Sequence, residues 1–187
     1  VAALGMPPQG PWKETLYGAY KQANEHTAYV FCADWDVPSI GIRPNIVFGL
    51  ARDQGYSSKN TVAIQAAVLE KKYDIPFTGN YSWLYAGEAA SAFITSVSKD
   101  MKEAKVFNLN GDCKKIEDGI SILRKLDSNI NITCSGKPVP FPPDLDDNPL
   151  KEYIGNYASI SFEKGVEHTY QAFKTLNEQG KCPELPK

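Results

Sequence analysis

Tyr17-Gly-Ala-Tyr-Lys-Gln-Ala-Asn-Glu25, followed downstream by Arg43-Pro-Asn-Ile-Val-Phe-Gly49, decides the reading of this chain. Tyr17 and Lys21 are four residues apart, so on a helix they share one face. A fixed ammonium beside a phenol favours the phenolate, which makes the pair a workable acid/base at neutral pH. Tyr20 is a rival phenol, but it adjoins Lys21 in sequence and lies off that face. Such a pair moves a proton on a hydroxyl or carbonyl while a cofactor moves a hydride.

Thr15 stands before this stretch as an N-cap, and the helix it opens is predicted to run from Leu16 to about Ala33. Val37-Pro38 breaks it. Ala19, Ala23, Ala28, Val30 and Phe31 spread over its surface and predict a well-buried helix. Residues 39–43 read as a short buried strand, and 43–49 as its end and exit loop. Residues 52–60 are polar and read as a mobile surface loop. Further helices are predicted at 61–73, 86–97, 116–126 and 162–178, the last with Ser161 as N-cap. Strands are predicted at 105–109 and 130–133, and 76–79 with 82–85 read as a hairpin or paired short strands. Residues 137–149 are rich in proline and aspartate and show no regular period. Residues 1–13, with Pro7, Pro8 and Pro11, read as a loop. Helices alternating with strands favour an α/β fold.

The chain has 187 residues, which suits one domain with a sizeable core. Its 20 basic and 22 acidic residues give a net charge of −2, which points away from nucleic acid and anionic membranes as partners. No apolar run reaches the roughly 20 residues of a membrane span. The first residues carry no basic stretch followed by an apolar one, so the expectation is a cytoplasmic protein with reduced cysteines. Cys32, Cys113, Cys134 and Cys182 are scattered, and His26 and His168 are far from any cluster, so no metal site is expected. No G-x-G-x-x-G loop occurs, so the chain lacks the usual element for holding a pyrophosphate.

With Tyr17-x-x-x-Lys21 and Arg43-Pro-Asn-Ile-Val-Phe-Gly49 in order, the sequence resembles the extended short-chain dehydrogenase/reductase superfamily, and within it the NAD-dependent epimerase/dehydratase branch. Phe77-Thr-Gly79 through Leu84-Tyr-Ala-Gly-Glu-Ala89 resembles a later segment of that family, and Val106-Phe-Asn-Leu-Asn-Gly111 the strand after it. The resemblance implies the C-terminal half of a Rossmann-type domain plus a small mixed substrate-binding subdomain. Residues 1–49 would hold the catalytic helix and a Rossmann strand. Residues 50–187 would be mainly the substrate-binding subdomain, with a returning sheet strand.

The resemblance also implies roles. Tyr17 would be the catalytic acid/base, and Lys21 would hold the nicotinamide ribose and favour the phenolate. Pro44, Asn45 and Ile46 would line the nicotinamide end of NAD or NADP, at the C-terminal edge of a strand. Many nucleotide-sugar members carry Asn where Ile46 stands, which makes such a substrate less secure. Arg52 is a candidate clamp for an anionic substrate, and Trp83 and Tyr85 are candidate pocket walls. Their alternation equally fits a strand with one face in the core. The acidic pair expected after Tyr85 is Gly87-Glu88 here.

In the family, the N-terminal half supplies the dinucleotide-binding βαβ units, and a serine or threonine upstream of a segment like Val1-Ala-Ala-Leu-Gly5 completes the catalytic set. Neither is found in this sequence, which leads to the expectation of a truncated piece of a longer parent, inactive alone. The expected function is that of an oxidoreductase, epimerase (isomerase) or dehydratase acting on a sugar-like or hydroxylated small molecule. The alternative is a non-catalytic nucleotide sensor or interaction protein on the same fold. Exposed apolar faces on the catalytic helix, and the family's use of that helix, predict a homodimer or larger self-association.

Overall fold

The computed structural model describes residues 15–186. The entry loop read at 1–13, with Val1-Ala-Ala-Leu-Gly5, lies outside the described residues. The described chain is α/β. In order it runs α1 (Leu16–Trp35), β1 (Ser39–Pro44), β2 (Val47–Phe48), a 3-10 turn (Tyr56–Ser58), α2 (Lys59–Val68), β3 (Tyr73–Ile75), β4 (Asn80–Tyr85) and α3 (Ala86–Val97). It continues with β5 (Ala104–Leu109), β6 (Asp112–Lys115), α4 (Ile116–Leu126), β7 (Ile132–Cys134), α5 (Asn148–Ile154) and α6 (Phe162–Glu178).

The strands form three small sheets. β1 pairs in parallel with β5, from Ser39 opposite Ala104 to Pro44 opposite Leu109. β4 lies between β2, parallel to it, and β6, antiparallel to it. β3 pairs in parallel with β7. Parallel neighbours need long crossovers, and helices supply them. β4 is buried along most of its length because successive side chains serve opposite faces. Tyr81 and Trp83 enter a large core with Phe48, Ile64, Phe77 and Phe162. Leu84 enters a second cluster with Ala92, Leu109, Leu150 and Ile154.

The predicted helices at 86–97, 116–126 and 162–178 are found with those bounds. Ser161 caps α6 by accepting the Lys164 N–H at 3.4 Å. Several expectations are corrected. The helix predicted over 61–73 runs Lys59–Val68, because Glu70 takes a left-handed φ of 54° and Tyr73 enters β3. The segment 76–79 does not pair with 82–85; Thr78 instead bridges to Pro138, and β4 has its own partners. The loop at 52–60 holds a 3-10 turn and the start of α2, and Ser58 and Asn60 are buried. Unanticipated elements include β3, where the helix over 61–73 was expected to end, β6, which is almost wholly polar, and α5, which starts behind a proline-rich segment with Pro149 near its N-terminus.

α1 is the main correction. Only Gly18 is buried, and Leu16, Tyr20, Val30, Phe31 and Trp35 are exposed. The face turned to the protein is Gly18, Gln22, Glu25, Ala28 and Cys32, which recur at helical spacing but are small or polar. The large apolar residues lie around the rest of the helix, so apolar content alone misjudged the burial.

Candidate active site

Thr15 sets the phase of α1. Its side chain accepts the Gly18 N–H at 3.0 Å, closing the first turn. Tyr17, Lys21 and Glu25 then recur at every fourth residue along one face. The Lys21 Nζ lies 5.3 Å from the centroid of the Tyr17 ring, within cation–π range. One turn on, Glu25 receives a two-pronged contact from Arg43 at the end of β1. Arg43 Nε donates to Oε1 at 2.7 Å and Nη2 to Oε2 at 2.6 Å. Hydrogen bonding to Glu25 is the main reason the Arg43 guanidinium is held charged even beyond its ordinary range. This pair fixes α1 against the strand edge.

Two cavities meet at Tyr17. One, of about 470 Å³, lies between α1 and the β1–β5 sheet, lined in part by Tyr17, Lys21, Glu25, Arg43 and Pro44. The other, of about 520 Å³, is lined in part by Tyr17, Pro44, Asn45, Ile46, Arg52 and Phe141. The structure therefore gathers Tyr17, Lys21, Pro44, Asn45, Ile46 and Arg52 around adjoining spaces. It does not bring Trp83 or Tyr85 there. Trp83 is 3% exposed and packs on Phe48 and Phe162. Tyr85 leans on Phe48 and His168. Both side chains stand on the core side of β4.

Asn45 is buried, with its amide nitrogen engaged and its Oδ1 without a hydrogen-bond partner among the described residues. Its Nδ2 donates to Asn110 Oδ1 at 2.7 Å and to the Pro142 carbonyl at 3.0 Å. Asn110 Oδ1 also accepts from Ser82 Oγ at 3.0 Å, and Ser82 Oγ accepts the Gly111 N–H at 3.2 Å. This network ties the ends of β1 and β5 to β4, beside Pro44, Asn45 and Ile46, which line the cavity. Asn110 and Ser82 went unmarked in the sequence; the Asn-Gly pair closing the 106–111 strand was the available signal. Arg52 donates within its own loop, to the Gln54 carbonyl and to Ser57 Oγ at 3.2 Å. Ala51, beside it, has a left-handed φ of 67°.

Glu88 lies elsewhere, at the start of α3, facing a cavity it shares with Asp112, Asp144 and Lys151. Its carboxylate accepts the Ile160 N–H at 3.4 Å. Burial pushes its pKa above the ordinary value of 4.5, against the opposing effect of that hydrogen bond. A raised pKa in the fold means a stabilising contribution that is complete below the ordinary value and lost as pH rises through the folded one. Glu88→Gln should therefore gain thermal stability relative to the parent between about pH 4 and about pH 7. Melting curves at the two pH values check this, and a constant difference would refute it.

The sequence matches no family profile and no curated protein. Solved structures do match. UDP-N-acetylglucosamine 4-epimerase from Bacillus cereus superposes with a TM-score of 0.74 at 18% identity, over 99% of this chain and 63% of its own. A GalE-like L-threonine dehydrogenase from Cupriavidus necator gives 0.76 at 18%, over 87% and 57%. UDP-glucuronic acid 4-epimerase from Bacillus cereus, solved in complex with NAD, gives 0.70 at 20%, over 94% and 59%. The chain shares the fold of part of each of these structures. It spans about three-fifths of the length of these structures. In this fold, the Tyr17 face of α1 and the C-terminal end of β1 border the same two cavities.

Proposed function

We propose that this chain carries the acid/base helix and much of the substrate-binding part of an NAD(P)-dependent epimerase, dehydratase or dehydrogenase. The observation that carries the reading is the convergence on Tyr17. The Lys21 ammonium lies over its ring, and the strand end at Pro44-Asn45-Ile46 shares its cavity. In this reading, Tyr17 exchanges a proton with a substrate hydroxyl or carbonyl. Lys21 favours the phenolate and binds the ribose, and Pro44-Asn45-Ile46 backs the nicotinamide. NAD or NADP, when bound, supplies hydride transfer. Arg52 offers the guanidinium donors not used by Gln54 and Ser57 to an anionic part of the substrate.

Residues 1–49 then supply catalysis and 50–187 mainly the substrate side, in a cytoplasmic homodimer or larger assembly. Trp83 in the core, and Tyr85 half-buried against it, are read as supporting the site from behind. The test is hydride transfer by the full-length polypeptide, followed by cofactor absorbance across a panel of hydroxylated substrates. Cofactor binding without turnover on any member would favour the sensor alternative. Absence of both would overturn the reading.

A further inference from the structure

Lys21 has two rivals for its charge. Tyr17 is four residues before it, and Glu25 is four residues after it. A lysine and a glutamate at this spacing on a helix are within reach of each other and attract. Such a pair would draw the ammonium one turn away from the phenol and neutralise much of its field. Yet among the described residues Lys21 makes no ion pair, and its Nζ lies over the Tyr17 ring. Both oxygens of Glu25 are instead bonded to Arg43, at 2.7 and 2.6 Å, which draws the carboxylate toward β1 and offsets its charge. The carboxylate and guanidinium are both largely shielded, with side-chain exposures of 17% and 25%. A planar fork satisfies both carboxylate oxygens at once, which a lysine in place of Arg43 would not do.

We propose that Arg43 is a positioning residue: by holding both carboxylate oxygens of Glu25, it keeps that carboxylate off Lys21 and leaves the ammonium to Tyr17. The inference rests on the reading of Tyr17 and Lys21 as an acid/base pair. The other charges around the groove fit it. Lys105 on β5 is engaged by Glu103 at 2.6 Å and lies over the Tyr153 ring. Arg52, on the far side of Tyr17, is bonded within its own loop. Tyr29 lies a further turn along α1, beside Arg43. Glu25 is thus the anion within helical reach of Lys21, and Arg43 is what removes it from competition.

The test is a cycle of full-length variants: Arg43→Met, Glu25→Gln and the double variant. In Arg43→Met the freed Glu25 turns to Lys21. The limb of the pH–rate profile that depends on the phenolate should move to higher pH, and turnover at neutral pH should fall about three- to tenfold. In the double variant no anion competes, so the profile should return to that of the parent. A part that merely braces α1 against β1 predicts the opposite, since the double variant lacks the brace as well. Glu25→Gln alone should not move the limb upward. An unmoved profile in Arg43→Met, a double variant as shifted as the single one, or an upward move in Glu25→Gln would each overturn the proposal. If Arg43→Met does not fold, Arg43→Lys, which keeps the charge but not the fork to both oxygens, takes its place: a smaller upward move is expected, and an unmoved profile overturns the proposal.

Carbon-13 resonances of the Tyr17 ring, followed against pH in the same proteins, give the answer without turnover. A ring titration that moves and returns as stated, in a protein where Tyr17→Phe leaves turnover intact, would keep this inference and discard the acid/base reading. A fixed ring titration with a lost Tyr17→Phe activity would do the reverse.

Discussion

Tyr17→Phe in the full-length protein should lower turnover by about 10²- to 10⁴-fold and leave cofactor affinity within a few-fold of the parent. The substitution removes one oxygen and little else. Phenylalanine keeps the ring over the Lys21 ammonium, so the cation–π contact survives. Tyr17 is 64% exposed, and none of its contacts holds the core together. Melting temperature should therefore be unchanged, which separates lost chemistry from lost structure. Cofactor binding is retained because the strand-end backbone and Lys21 remain in place. Steady-state kinetics beside a cofactor titration check both halves of the claim. Turnover near the parent level would remove Tyr17 from the mechanism and leave the proton to another group.

Gly111→Ala should destabilise the fold by about 3 kcal/mol or more. A Cβ at this position would lie 2.3 Å from the Leu84 nitrogen and from the carbonyl carbon and oxygen of Trp83. These are backbone atoms of β4, with no flexible end that can swing aside. Relief demands movement of the central strand, which pairs with β2 and β6 and carries Trp83 into the large core. The same movement would pull Ser82 from Asn110 and from the Gly111 N–H. Gly111 has no left-handed φ, so its need for glycine is one of space alone. Denaturant unfolding should show a lowered midpoint. A variant within about 1 kcal/mol of the parent would show that β4 has slack here.

What could be read from the sequence follows from how local the physics is. α4 and α6 were legible to the residue because their apolar positions recur at helical spacing and their first turns carry Asp118 and Ser161 as capping groups. The meeting of Tyr17 and Lys21 on one face of α1 was legible because it needs only helical spacing. The burial of α1 was not legible, because its inward face is built from Gly18, Gln22, Glu25 and Cys32, not from its large apolar residues. The Asn45–Asn110–Ser82 network joins three distant stretches of chain, so no local pattern shows it. Trp83 and Tyr85 could be assigned to one face of a strand, but which side that face met was settled by the positions of α6 and Phe48. Glu25 stood in plain view, four residues past Lys21, yet only Arg43 on the neighbouring strand gives it meaning.

β4 gives one face to each core, Tyr81 and Trp83 to the large one, Leu84 to the smaller, while Ser82 joins the network behind the cleft. Messages between these regions need no relay, since a single backbone is their common wall. A substitution that shifts β4 to suit one core is therefore felt at once in the other core and in the Asn110 network.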